Sequence, residues 1–343
     1  MRISKIVFIL CCFTFQHLAA QTSIKILTEK KGVSIRGLSV PTDKVIWASG
    51  SKGSIAKSIN GGESFEWLTV KGYEARDFRT IHAWNEREAV IAAVAAPAVI
   101  LRTEDGGYNW RLVTEIIDSN MFLDAIHFTN DSIGWIVGDP IEKNIFLMQT
   151  KDKGNTWQEI GAGYFASEVK EGEAFFASSG TNIAHTKDAL MLVSGGMASR
   201  LWVNGYPSDL PLLQGGKSTG ANSIAISPDE KKIIIVGGDF AKDTLRKNNM
   251  LCLLQKQVKT NDAKQWQQAV KYQGPNGYRS CVEFVNNELV LACGTSGVDL
   301  SKNGGQNWNL ISNQSFHVVQ HQPGKKAVFF AGSGGRIGYL TLD

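Results

Sequence analysis

The sequence predicts an all-β protein: a seven-bladed β-propeller of four-stranded blades, its ring closed by a strand from the N-terminal end. Three observations carry this. One turn pattern with fixed internal spacing occurs four times in the 343 residues. Its glycines stand 45, 47 and 151 positions apart, the last interval being about three of the shorter ones. Around each copy four short apolar runs, separated by turn residues, read as strands, and a repeat of roughly 40–50 residues with four strands signals a propeller blade.

The first twenty residues are set aside from the fold. Arg2 and Lys5 give a basic start, Ile6 to Phe15 a short apolar core, and Leu18-Ala19-Ala20 small residues before Gln21. This is the pattern of a secretory signal peptide, too short to span a bilayer. Neither Cys11 nor Cys12 follows a small residue, which argues against a lipoprotein. Cleavage after Ala20 would leave one domain, residues 21–343, secreted or periplasmic, and would lower the formal net charge from +4 to +2. No basic stripe follows, so nucleic acid is not the expected partner. No later run is apolar for long enough to cross a membrane.

The turn pattern begins at Ser58-x-Asn60-x-Gly62-x-Ser64-Phe65. It recurs at Thr103-x-Asp105-x-Gly107-x-Asn109-Trp110, Thr150-x-Asp152-x-Gly154-x-Thr156-Trp157 and Ser301-x-Asn303-x-Gly305-x-Asn307-Trp308. The Asx side chain can accept from backbone N–H groups of the turn, glycine takes the left-handed corner, and the aromatic covers the hairpin. The pattern looks like the Asp-box, or BNR repeat. Asn60, Asp105, Asp152 and Asn303 are therefore expected to be structural.

Strands are expected at Ile35–Val40, Val45–Ser49, Ser54–Ser58 and Phe65–Val70 in the first unit. In the second they are expected at Arg79–Ala83, Ala89–Ala93, Val99–Thr103 and Asn109–Val113. Innermost strands begin near Arg36, Arg79, Asp124, Glu173, Asn222, Arg279 and His317. The seventh unit lacks room for its outer strand, and Ser23–Leu27 can supply it, hiding a sheet edge.

In a propeller the start of each first strand and the end of each second strand share one face, and the Asp-box turns lie on the other. A ligand or partner site is expected on the first face. There "IRGL", "FRTI" and "YRSC" align Arg36, Arg79 and Arg279, with Asp124 and Glu173 at the matching places. Second-strand ends add Gly138-Asp139-Pro140, Gly195-Gly196, Gly237-Gly238-Asp239 and Gly332 to Gly335. Arginine forks bind carboxylate, phosphate or sulfate bidentately, so a charged mouth for an anionic ligand is one expectation. Arginine–carboxylate pairs that only join neighbouring blades are the other. His82 and His127 sit three residues further along and are expected in interblade packing rather than at a metal.

Cys252, Cys281 and Cys293 remain after cleavage. A three-residue loop would place Cys281 opposite Cys293, a two-residue turn would not, and either buried thiols or a disulfide is open. "GGKSTG" at 215–220 ends like a phosphate loop, but Pro211 stands where the motif needs glycine. No dinucleotide fingerprint is present, and no cofactor is expected.

With its boxes at Asn60, Asp105, Asp152 and Asn303 and its export signal, the chain resembles the photosystem II stability/assembly factor-like propellers over nearly its whole length. Plant and cyanobacterial members help assemble photosystem II, and bacterial relatives often carry an oxidoreductase label that no motif here supports. The expected function is that of a monomeric, non-enzymatic propeller that binds or assembles a protein or envelope partner. The alternative is a sialidase-like hydrolase. In it Arg36, Arg79 and Arg279 would hold a sugar carboxylate, with Asp124 or Glu173 in acid–base work. Against it, glycine follows Arg36 where an Arg-Ile-Pro motif is expected, and no nucleophile pair can be assigned.

Overall fold

The computed structural model describes residues 23–254 and 272–342; the leader expected at 1–20 lies outside them. The described chain is almost wholly β. Consecutive strands pair antiparallel, each unit running outward from an inner strand. The first unit consists of Ile35–Ser39, Ile46–Gly50, Ser54–Ser58 and Glu66–Thr69, within a residue or two of the expected bounds. The second starts with Phe78–Ala83 and the third with Leu123–Phe128. An eight-stranded sheet follows, whose two halves meet at a single residue pair, Gly195 with Gly220. Counting the halves separately, the described strands fall into seven units.

Amino-acid type decides depth within each unit. Middle strands such as Ala89–Ala93 and Val290–Gly294 are buried at every position, because each sheet is covered on both faces by its neighbours. Trp47 and Ile55 of the first unit pack with Phe78 and Ile91 of the second, so the core is a series of layers between units. Outer strands are wet, as at Gln158–Glu159. The second unit's outer strand runs Arg111–Ile116 instead of Asn109–Val113, because Asn109 is used by the turn, its N–H donating to Asp105.

The four boxes superimpose bond for bond. Ser58, Thr103, Thr150 and Ser301 each donate a hydroxyl to the Asx oxygen two residues on, at 2.8–3.0 Å. Each hydroxyl accepts the N–H of Gly62, Gly107, Gly154 or Gly305. Each Asx oxygen accepts a further N–H four residues on, from Ser64, Asn109, Thr156 or Asn307. Gly107, at φ 90°, lies against Trp47 of the preceding unit, where a Cβ would sit 3.0 Å from the indole.

A second device links units near the channel. The inner-strand N–H groups of Ala83, Ile126, Val282 and Val319 are accepted by Ser39, Thr80, Ser223 and Cys281 of the preceding unit. Gln320 does the same for Val40, from the last unit to the first. These buried donors would otherwise go unpaired. Cys281 thus stands in for a hydroxyl. It lies opposite Cys293 across a three-residue loop, Asn286 to Glu288, and both thiols are free and buried.

The ring closes with Lys25–Thr28, paired antiparallel to Ile337–Thr341 as the outer strand of the seventh unit. The glycines of 332–335 serve this closure: Gly334 O accepts from Lys30 and Gly335 N–H donates to Val33.

Candidate functional site

Inner strands of the first three units and the fifth share an irregularity. Their registers shift at Ile35/Gly37, Phe78/Thr80, Leu123/Ala125 and Ala221/Ser223. The skipped residue is Arg36, Arg79, Asp124 and Asn222 in turn. A bulge leaves one residue unpaired and re-aims its side chain. Of the aligned positions, Arg36, Arg79 and Asp124 thus sit at bulges, whereas Glu173 pairs in register with Gly196 and Arg279 precedes a strand with no shift.

Arg36 and Arg79 line an open cavity of about 370 Å³ at the channel mouth, together with Asp139, Lys217, Asn222 and Tyr278. Phe122, Phe176 and the half-exposed Phe240 add an aromatic rim. Arg79 Nε bonds Asp77 at 2.8 Å and its guanidinium lies over Phe122. Arg36 has no carboxylate partner among the described residues; it donates to Ser178 O at 3.2 Å. Burial, and then the Arg79 charge, pull its proton affinity down. Of the two guanidiniums, only Arg79 is paired with a carboxylate.

The floor of this cavity comes from the fourth unit, whose inner strand is interrupted. Glu173–Ala174 pairs first, and pairing resumes only at Ile183–Thr186. The segment between crosses the channel. Ser178 bonds Asn222 of the fifth unit and Tyr278 before the sixth, Ser179 bonds Ser280 O, and Thr181 bonds Ser223. Gly180, at φ 67°, fits against Thr80 of the second unit. Below this plug is a second cavity of about 400 Å³, lined by His82, His127, His185, Glu283 and Gln320.

The remaining residues singled out in the sequence lie elsewhere. Arg279 does not join the mouth: it is fully buried and ion-paired with Asp299, and it also donates to Tyr278 O and Ser296. The three-arginine clamp of the hydrolase alternative is therefore not assembled. Glu173 turns into its own unit, where Arg200 Nε donates at 2.8 Å and Ser194 also bonds it. Asp239 caps a short 3-10 turn, accepting from Ala241 N and Ser218. Asp124 is fully buried beside Asp139, with no hydrogen bond of ordinary geometry to either oxygen. Burial and the Asp139 charge raise its pKa well above the carboxylate range. Asp139 does face the cavity. It accepts from Phe175 N at 2.9 Å, and burial pushes it up to about 6.

The histidines pack between units. His82 stacks on Phe128, and His127 Nε2 lies 2.6 Å from His185 Nδ1. Desolvation takes His127 down to about 3 and His82 to about 4, so both are neutral at physiological pH. Lys217, Tyr278 and the plug escaped the sequence reading. The only signal for the plug was the small-residue run Ala177-Ser178-Ser179-Gly180.

Residues 92–164 match the family described as photosynthesis system II assembly factor YCF48. No curated protein matches the sequence. Among solved structures, YCF48 bound to D1 peptide is 15% identical with a TM-score of 0.62, over 92% of this chain and 96% of that one. YCF48 from Cyanidioschyzon merolae is 14% identical with a TM-score of 0.64, over 93% of this chain and 98% of that one. The chain is thus an Asp-box β-propeller with the fold of the photosystem II assembly factors, and it carries that family's sequence pattern over residues 92–164.

Proposed function

We propose that the chain is an exported, non-enzymatic propeller whose channel mouth binds an anionic group on a segment of a protein partner. In this reading residues 1–20 are removed and residues 21–343 form a single monomeric domain, secreted or periplasmic, working without a cofactor. The observation that carries it is Arg36: a guanidinium largely out of solvent, beside a second guanidinium, facing an open cavity with no carboxylate of its own among the described residues. Such a cation is costly unless an anion joins it. The likeness to a propeller described as bound to a peptide favours a protein segment as the source of that anion. The plug makes the cavity blind, so it suits one or two side chains better than a threaded strand.

The test is calorimetric titration of short acidic peptides into the mature protein. Binding should weaken at least about tenfold in Arg36→Ala/Arg79→Ala while the variant stays folded. Unchanged affinity in that variant would overturn the proposal.

A further inference from the structure

The mouth carries a second imbalance, of opposite sign. Asp139 faces the same cavity as Arg36, Arg79 and Lys217. Its Oδ1 takes the Phe175 amide, and no ion pair involves it among the described residues. Behind it Asp124 is fully buried with no hydrogen bond of ordinary geometry, approached by the Ala177 amide and by the charge of Arg79, which is already held by Asp77. One cavity therefore holds a guanidinium, Arg36, short of a carboxylate and a carboxyl group, Asp139, short of a cation.

Covering the cavity with a ligand would exclude solvent from both. A purely acidic ligand would satisfy Arg36 and Arg79 but strand Asp139, which must then take up a proton or remain as an uncompensated charge. A ligand bearing a carboxylate and a basic group side by side satisfies both walls at once. We propose that the mouth selects a protein segment in which an acidic side chain lies next to a lysine or arginine, the acid on Arg36 and Arg79 and the base on Asp139. Aromatic Phe122, Phe176 and Phe240 give the flanking residues of such a segment something to pack on. This rests on the function proposed above and narrows it.

The two ligand classes also differ in pH response. Asp139 is pushed up to about 6 by burial, the groups beside it are Asp124 and the Phe175 amide, and Arg36, Arg79 and Lys217 line the same cavity. An acid-only ligand gains affinity as pH falls through that value, because Asp139 is neutralised. A ligand with its own base is held by the ionised form and loses that contact instead.

The experiment compares labelled peptides with identical apolar flanks carrying Glu alone, Lys alone or Glu beside Lys, by fluorescence anisotropy at pH 7.5 and pH 5. The wild type should bind the Glu-Lys peptide at least about tenfold tighter than the Glu peptide at pH 7.5, with the gap closing at pH 5. Asp139→Asn keeps the acceptor for Phe175 and should abolish the gap without weakening the Glu peptide. Equal wild-type affinities for Glu and Glu-Lys peptides would overturn the inference and leave the anion site standing. Equal binding of the free dipeptide Glu-Lys would overturn the assignment to a protein segment. Insensitivity of every peptide to Arg36→Ala would sink the function proposal itself.

Discussion

Arg279 holds the Asp299 carboxylate through Nε at 2.7 Å and through a terminal nitrogen, with both side chains fully out of solvent. Its sequence position matches Arg36 and Arg79, but its partner comes from the third strand of its own unit. Removing one member strands a buried charge. Arg279→Met should therefore cost about 3–5 kcal/mol in urea denaturation. Arg279→Met/Asp299→Leu should recover most of that, and peptide affinity at the mouth should stay within about twofold in the folded fraction. A strong affinity loss at unchanged stability would return Arg279 to the site.

Asp105 tests the boxes. Its Oδ1 accepts from Thr103 and from Asn109 N. Asp105→Ala should cost about 0.5–2 kcal/mol, by analogy with a lost side-chain cap. Asp105→Asn should be milder, since Asn60 and Asn303 already build the same turn. Binding at the mouth should not change, because the boxes lie on the other face.

His127 sets a pH response. Its folded pKa, pulled down to about 3 by burial and then by His185 and His82, lies below the unfolded value of about 6.5. The unfolded chain therefore takes up the proton first, and stability falls as pH drops from about 6.5. Asp139 and Glu283, raised to about 6 and about 7, act in the opposite sense and lose stability as pH rises through those values. A single variant separates the terms. Between pH 7 and pH 4.5, His127→Gln should lose about 1–3 kcal/mol less stability than the wild type by chemical denaturation. Parallel profiles would mean that His127 is protonated in the folded protein.

What was legible in the sequence was local or periodic. Turn chemistry at Asn60 or Asp152 depends on residues within four positions, and repetition at a fixed interval converted it into a ring. The recurring Arg36, Arg79 and Asp124 were visible because each occupies a bulge, which the sequence marked only as an aligned position. Partners drawn from elsewhere were invisible. Nothing near Glu173 announces Arg200, and nothing near Arg279 announces Asp299. The plug was missed for the same reason: Ser178 and Ser179 are ordinary small residues whose meaning lies in Arg36, Asn222 and Ser280. The structure reports Asp139 at the cavity and Asp239 at a helical cap, although both follow a glycine at the end of a second strand.

The pairing of Lys25–Thr28 with Ile337–Thr341 has a bearing on how the chain is made. Each other unit draws its described strands from one continuous stretch and can form as soon as that stretch is available. The seventh cannot, since one of its strands is made first and the others last. Contacts of such sequence separation form late and slowly. Until then the early strand has no strand to pair with, although Trp67 of the first unit can already bond Thr28. Closure of the ring therefore waits for Ile337–Thr341, however far the other six units have folded.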